Sequence, residues 1–317
     1  MIGFIVNPAS GNGRGGRVWK KLEPELKRRS VPYRAAFTEC KGDAVAKTED
    51  MLRRYSLDAV VAVGGDGTVH ETVNGMERAG SRDRSGRRPP FGYVPAGSGN
   101  DYARACGIPR DPAEALDRLL RELASGREPL SADLLRLEGD GAPAAANSYG
   151  FGLDAAVAEA VNRSTGKRLL NRLGLGKLVY LFALLRALVS YRPVRASVTV
   201  DGGDTRRFEE VWLIVVANNP CFGGGMRICP GADMRDGRAT VCVVSGLGRL
   251  GLLCLFPLVF AGRHVGLKSV TLLEGREIEI EAPAGMPVQA DGESVRLAAG
   301  EAVRTIRVAP GAFMTLG

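Results

Sequence analysis

Two short segments hold most of the chemistry this sequence can offer: VGGDGT at 63–68 and PAGSGND at 95–101. Each follows an apolar run, and each sets a carboxylate, Asp66 or Asp101, among glycines. Glycines let backbone N–H groups approach phosphate oxygens closely, because no Cβ intervenes and positive φ costs little. A helix start adds a partial positive charge. The two loops therefore predict a site for a phosphorylated ligand. Neither contains GxxxxGK[ST] or GxGxxG, so the P-loop and dinucleotide fingerprints are absent. An aspartate beside phosphates is costly unless a cation neutralises it. Mg²⁺, which takes one or two carboxylates plus waters and substrate phosphates, is the natural partner. Asp101 and Asp133, the latter read as a strand start in SADLLRL, are the candidate partners of Asp66. The plainer reading, two tight strand-to-helix turns, is disfavoured by finding both loops on adjacent strands.

The elements that must position these loops alternate over the first 125 residues. Strands are expected at Ile2–Val6, Tyr33–Thr38, Ala59–Val63 and Phe91–Val94. Helices are expected at Val18–Arg29 (with Pro24 inside), Asp43–Tyr55, from about Thr68, at Asp101–Cys106 and at Pro112–Ala124. Asp111 precedes Pro112 as an N-cap with proline in the first helical position. Such alternation implies βαβ units and a mainly parallel sheet, whose ligands sit at the carboxyl ends of the strands. Those ends carry Asn7-Pro8, Thr38, Gly64–Thr68 and Pro95–Asp101. Beyond residue 130, β-branched runs at 196–200, 211–217, 240–244, 270–273, 277–281 and 303–308 predict a β-sandwich or barrel-like domain. Helices at 167–191 and 250–261 interrupt it; each is read as packed on the β domain, with membrane docking as the alternative.

Composition narrows the function. A chain of 317 residues, 45% hydrophobic and 25% charged, is that of a globular protein with room for two domains. No run of about 18 apolar residues predicts a transmembrane helix. The N-terminus opens as a strand with no signal-like segment. Six scattered cysteines with no CxxC pair read as reduced thiols of a cytoplasmic protein. With only His70 and His264, a histidine-rich zinc site or a Ser-His-Asp triad is disfavoured, so carboxylates must do the chemistry. The net charge of +8 favours anionic partners or a well-solvated arginine-rich surface. The run RDRSGRRPP (82–90) is expected to be an exposed, partly disordered loop. No nucleic-acid-binding motif accompanies the charge, so nucleic acid is not an expected partner.

Taken in order, NPASG (7–11), VGGDGTVHETVNG (63–75), PAGSGNDYARACGIP (95–109) and DGE (291–293) resemble the signatures of the diacylglycerol kinase catalytic family. The likeness is nearest to its bacterial lipid-kinase branch, related to sphingosine and ceramide kinases and more distantly to NAD kinases. It runs from about residue 2 to 315. It implies a fold of α/β plus all-β class. An N-terminal α/β nucleotide-binding domain (Rossmann-like, NAD-kinase-like) would span 1–128 and be completed by 305–317. A C-terminal β-sandwich domain with inserted helices would span 129–304, with the active site in the cleft between the two. The implied reaction is Mg²⁺-dependent transfer of the ATP γ-phosphoryl group to a lipid hydroxyl.

By motif, Asn7, Thr38, Gly64, Gly65, Asp66, Gly67, Thr68 and Ser98 fall at nucleotide-contacting positions. Asp66, Asp101 and Asp133 match the family's acidic network around Mg²⁺, and Glu293 matches the proton acceptor. In GGGMRICPGADMRDGRATV (223–241), Asp236 and main-chain carbonyls near Asp233 and Arg238 match a second, structural Mg²⁺ site. Ser98 replaces the usual threonine and keeps the hydroxyl; Thr38 rests on position alone. Asp66 is the rival base to Glu293. Without the resemblance, Asp-Gly at 291–292 reads as a hairpin turn. The resemblance also implies a peripheral location at the inner membrane face and a homodimer. The alternatives are an NAD kinase-like phosphotransferase and a non-catalytic nucleotide- or lipid-binding regulator.

Overall fold

The computed structural model describes residues 1–139, 141–163, 176–295 and 302–316. The chain forms two compact units, Met1–Asp133 with Gly311–Gly317, and Leu134–Pro310.

In the first unit, β1 (Ile2–Val6), β2 (Tyr33–Phe37), β3 (Ala59–Gly64) and β4 (Phe91–Pro95) form a parallel sheet in the order β2-β1-β3-β4. The end of β14 (Val303–Thr315) joins β4, pairing Thr315 with Phe91. Residues of β1, β3 and β4 are all buried, because a parallel sheet is covered on both faces and so reads as continuous apolar runs. The helices are α1 (Ser10–Arg28), α2 (Asp43–Arg54), α3 (Asp66–Arg78), α4 (Asp101–Ala105) and α5 (Pro112–Ala124). On one face Trp19, Leu22 and Leu26 of α1 and Leu116 and Leu119 of α5 pack on Phe4, Val61 and Val63. Each large side chain so buried contributes about 1.5–3 kcal/mol. Asp111 caps α5 as expected, accepting from the N–H groups of Ala113 and Glu114.

Chain order reverses direction at β1 and β3: β2 lies to one side of β1, while β3 and β4 lie to the other. In sheets of this kind ligands bind outside the carboxyl ends of the strands at such a point of reversal. Two expected boundaries move here. α3 begins at Asp66, not near Thr68, because Gly65 is extended and the helix starts directly after it. α1 is assigned from Ser10, yet Gly11, Asn12 and Gly13 all have positive φ, so its regular turns begin at Arg14 rather than Val18. The 82–90 loop is less loose than its composition suggests. The buried Asp83 carboxylate accepts from the N–H groups of Leu57, Ser85 and Arg87 and ties the loop down.

The second unit is built on an antiparallel sheet. Its strands run β13 (Glu293–Val295), β12 (Val288–Ala290), β6 (Ser148–Gly152), β8 (Arg206–Ala217), β7 (Val194–Val200), β11 (Glu277–Glu281) and β14. A branch through β9 (Ala239–Ser245) to β10 (Val270–Gly275) leaves from β8. The period of two divides β9 between two cores. Val241 and Val243 face Tyr149, Phe151 and Ile278, whereas Cys242 and Val244 face helices α6 (Leu153–Arg163), α7 (Gly176–Ser190) and α8 (Arg249–Phe260). Of the helix expected at 167–191, residues 176–190 are α7, while 167–175 lie outside the described residues. Among the described residues no helix is long and apolar enough to cross a membrane. All six cysteines are free thiols.

Candidate nucleotide site

Three loops meet at the carboxyl edge of the first unit's sheet. Asn7 directly follows β1; its Oδ1 accepts from the N–H groups of Ala9 and Ser10, and its Nδ2 donates to Thr68 Oγ1 at 3.1 Å. Thr68 is buried, so its hydroxyl fastens the β1 loop to α3. The loops after β3 and β4 touch through glycine: a Cβ on Gly97 would stand 2.4 Å from Gly65 Cα and 2.8 Å from Asn100 Oδ1. A Cβ on Gly11 would stand 2.3 Å from the Ala96 carbonyl oxygen. Tyr93 pins the same junction, its hydroxyl placed 2.8 Å from Asn100 Oδ1 and 3.1 Å from the Gly64 carbonyl. Gly97→Ala is therefore expected to force the loops apart, at about 1–3 kcal/mol. That predicts roughly tenfold weaker ATP binding by calorimetry. Gly231→Ala, where a Cβ meets nothing within 4 Å, serves as the control.

Asp66 lies in the first turn of α3, where the helix dipole favours its charge. Its Oδ1 accepts from Tyr102 N–H at 3.2 Å. Asp66 Oδ2 and Asp101 Oδ2 lie 2.7 and 3.6 Å from where a Gly99 Cβ would be, so the two carboxylates flank that glycine. Burial of the carboxyl, then the neighbouring Asp101 charge, raise the Asp66 pKa to about 6, against the N–H groups that hold it down. Two hard oxygen donors held together at a cost in like charge are the kind of set that Mg²⁺ relieves. Asp101 is braced by Arg104 at 2.7 Å.

Asp133 is the fourth residue of β5 (Leu130–Leu137), not the strand start, and its Oδ1 accepts from Gly311 N–H at 2.8 Å. Among the described residues no three Asp, Glu, His or Cys side chains converge as a metal site. Thr38 lies just past β2, its N–H donating to the Val6 carbonyl.

Sequence reasoning missed the cations. A cleft of about 680 Å³ opens beside these loops, lined by Arg14, Arg104 and Arg110 together with Gly97, Ser98 and Gly99. Ser98 is exposed and lines this cleft. The arginines come from α1, from α4 and from the segment before α5, so no contiguous motif announces them.

In the second unit, Ala290 pairs with Glu293 across a two-residue turn, Asp291-Gly292, with φ of 51° and 88°. This is the hairpin geometry that Asp-Gly favours. The Asp291 carboxylate accepts from three N–H groups, those of Ala146, Asn147 and Ser148, at 2.8–3.0 Å. Glu293, half-buried, starts β13. In the 223–241 loop, Asp236 Oδ1 accepts from Arg238 N–H at 2.8 Å, and the Asp233 carboxylate is held by Arg235 at 3.0 Å. The Arg238 guanidinium donates to the Glu274 carbonyl.

Comparison with known proteins shows the family. Residues 1–128 match the diacylglycerol kinase catalytic domain, and residues 147–317 match the YegS C-terminal NAD kinase beta sandwich-like domain. The chain is 32% identical over 296 residues to a candidate lipid kinase, YtlR, of Bacillus subtilis (strain 168), covering 92% of each chain. It is 30% identical over 300 residues to a diacylglycerol kinase of Mycobacterium tuberculosis (strain ATCC 25618 / H37Rv), covering 91% of this chain and 87% of that one. A crystal structure of a candidate diacylglycerol kinase from Bacillus anthracis str. Sterne shares the fold, with a TM-score of 0.75 at 23% identity, covering 99% of this chain and 94% of that one. The chain belongs to the diacylglycerol kinase-like family of ATP-dependent lipid kinases.

Proposed function

We propose that this protein transfers the γ-phosphoryl group of ATP to the hydroxyl of a membrane lipid, diacylglycerol or a related lipid alcohol, with Mg²⁺. The observation that carries the reading is the meeting of three glycine loops at the sheet's point of reversal, with Asp66 and Asp101 paired beside an arginine-lined cleft. Phosphoryl transfer needs alignment and charge neutralisation more than covalent catalysis. Backbone N–H groups of the loops, with Arg14, Arg104 and Arg110, would hold the triphosphate. Asp66 and Asp101 would hold Mg²⁺, which when bound supplies further charge neutralisation. Glu293 would accept the proton of the acceptor hydroxyl. Of the two acids in DGE, Asp291 is committed to three backbone N–H groups, which supports assigning the base to Glu293. Asp236, with main-chain carbonyls near Asp233 and Arg238, is the place for a second, structural Mg²⁺.

Peripheral membrane binding is supported by apolar side chains exposed on α7 and α8, among them Val189 at 73% and Leu250 at 78%, and by the net positive charge. A single assay tests the whole reading. The purified protein is given labelled ATP with anionic or zwitterionic vesicles carrying diacylglycerol, phosphatidylglycerol, a sphingoid base or an isoprenoid alcohol. Label is expected in one lipid, only with Mg²⁺, and faster on anionic vesicles. Labelling of NAD instead would overturn the substrate class. ATP binding without turnover on any acceptor would favour a regulator.

A further inference from the structure

Asp154, the second residue of α6, is buried against the apolar cavity beneath α7 and α8, beside Leu188, Leu252 and Phe256. One carboxylate oxygen, Oδ2, accepts from Gln289 Nε2 at 3.2 Å; the other, Oδ1, has no hydrogen-bond partner. Gln289, itself buried in β12, accepts at Oε1 from Gly292 N–H at 2.5 Å. One amide thus spans a carboxylate and a backbone N–H. Only one orientation of the amide serves both, since the carboxylate needs a donor and the N–H needs an acceptor. Space for the pair exists because position 150 is glycine. A Cβ there would stand 1.7 Å from Asp154 Oδ2 and 2.5 Å from Gln289 Nε2.

Gly292 is the second residue of the turn that delivers the chain to Glu293. Asp291, the first, holds a positive φ, which Asp adopts more readily than most residues with a Cβ. That turn is gripped on both of its residues: the Asp291 carboxylate holds the 146–148 backbone, and Gln289 holds Gly292. A carboxylate half satisfied against an apolar wall destabilises the fold, and a leucine would suit the wall better.

We propose that Asp154 and Gln289 are positioning residues for phosphoryl transfer: they form a buried relay that fixes the Asp291-Gly292 turn and so aims Glu293. The relay rests on the reading of Glu293 as base. Misplacement of a base by about 1 Å can cost 10²-fold in rate. Gln289→Met, close in size but unable to bridge, is expected to lower kcat about 10²-fold at saturating lipid, with the ATP dissociation constant within about twofold of wild type. Asp154→Leu should give the same split, and Asp154→Asn, which keeps an acceptor for Gln289, should recover at least about tenfold of the Asp154→Leu loss.

Normal turnover per folded molecule in Gln289→Met and Asp154→Leu, whichever way the melting temperature moves, would overturn the relay. If Gln289→Met does not fold, the Asp154 pair carries the test alone. Glu293→Gln is run beside them. Full activity in that variant would end the base assignment and the relay together. An inactive Glu293→Gln beside a fully active Gln289→Met would end the relay alone.

Discussion

Asp66→Asn is expected to lower kcat/KM by about 10³-fold or more while making the folded protein more stable at neutral pH. The two effects have one cause. Asp66 is held with its carboxyl enclosed beside Asp101, and its pKa rises from 3.8 to about 6. A raised pKa in the folded state means that the unfolded chain binds fewer protons between those values. Stability is therefore fully present below about pH 4 and is lost as pH rises through about 6. The gap corresponds to about 3 kcal/mol at pH 7, taken without a cation. Asparagine keeps an oxygen for Tyr102 N–H and carries no charge. Its stabilising effect, read by urea unfolding in EDTA, should be largest at pH 7–8 and vanish below pH 4. Saturating Mg·ATP should reverse the order, stabilising wild type and not the variant. A variant less stable than wild type in EDTA at pH 7.5 would contradict the paired-carboxylate account.

Glu293→Gln is expected to reduce kcat by about 10²–10⁴-fold, the usual contribution of a positioned base, with little change in Mg·ATP affinity. The substitution keeps the size of the side chain and leaves the Asp291 bonds to residues 146–148 intact, so the hairpin should fold as before. Asp66→Asn should weaken Mg·ATP binding and Glu293→Gln should not, a split that calorimetry reads directly. If Glu293→Gln turns over normally while Asp66→Asn is inactive but still binds Mg·ATP, the base is Asp66.

The first unit is legible from its sequence because its strands are buried on both faces and separated by helices with clear starts. Ala59–Val63 and Phe91–Val94 each extend by one residue, and α5 lies at Pro112–Ala124 as Asp111 and Pro112 indicate. The second unit is legible where its strands alternate or are β-branched. β6 (SYGFG) has two glycines, no β-branched residue and partners far away in sequence, and β12 (VQA) is only three residues long. α6 follows β6 with no turn residue between them, so no local signal separates the two.

By itself the sequence determined the chemistry of the site: glycines where backbones must touch, carboxylates at helix starts, and Asp-Gly where a hairpin needs two positive φ values. These are local requirements, met within a few residues of where they are read. Only the tertiary structure decided which groups act together. Asp66 and Asp101, from loops that follow different strands, flank Gly99, and Asp133 is tied to Gly311 near the far end of the chain. Arg14, Arg104 and Arg110 line one cleft because three separate segments converge there. Gln289 bridges Asp154 to the Glu293 turn across 135 residues of sequence. Such pairings depend on which strands lie side by side, and strand order is a property of the whole chain rather than of any segment in it.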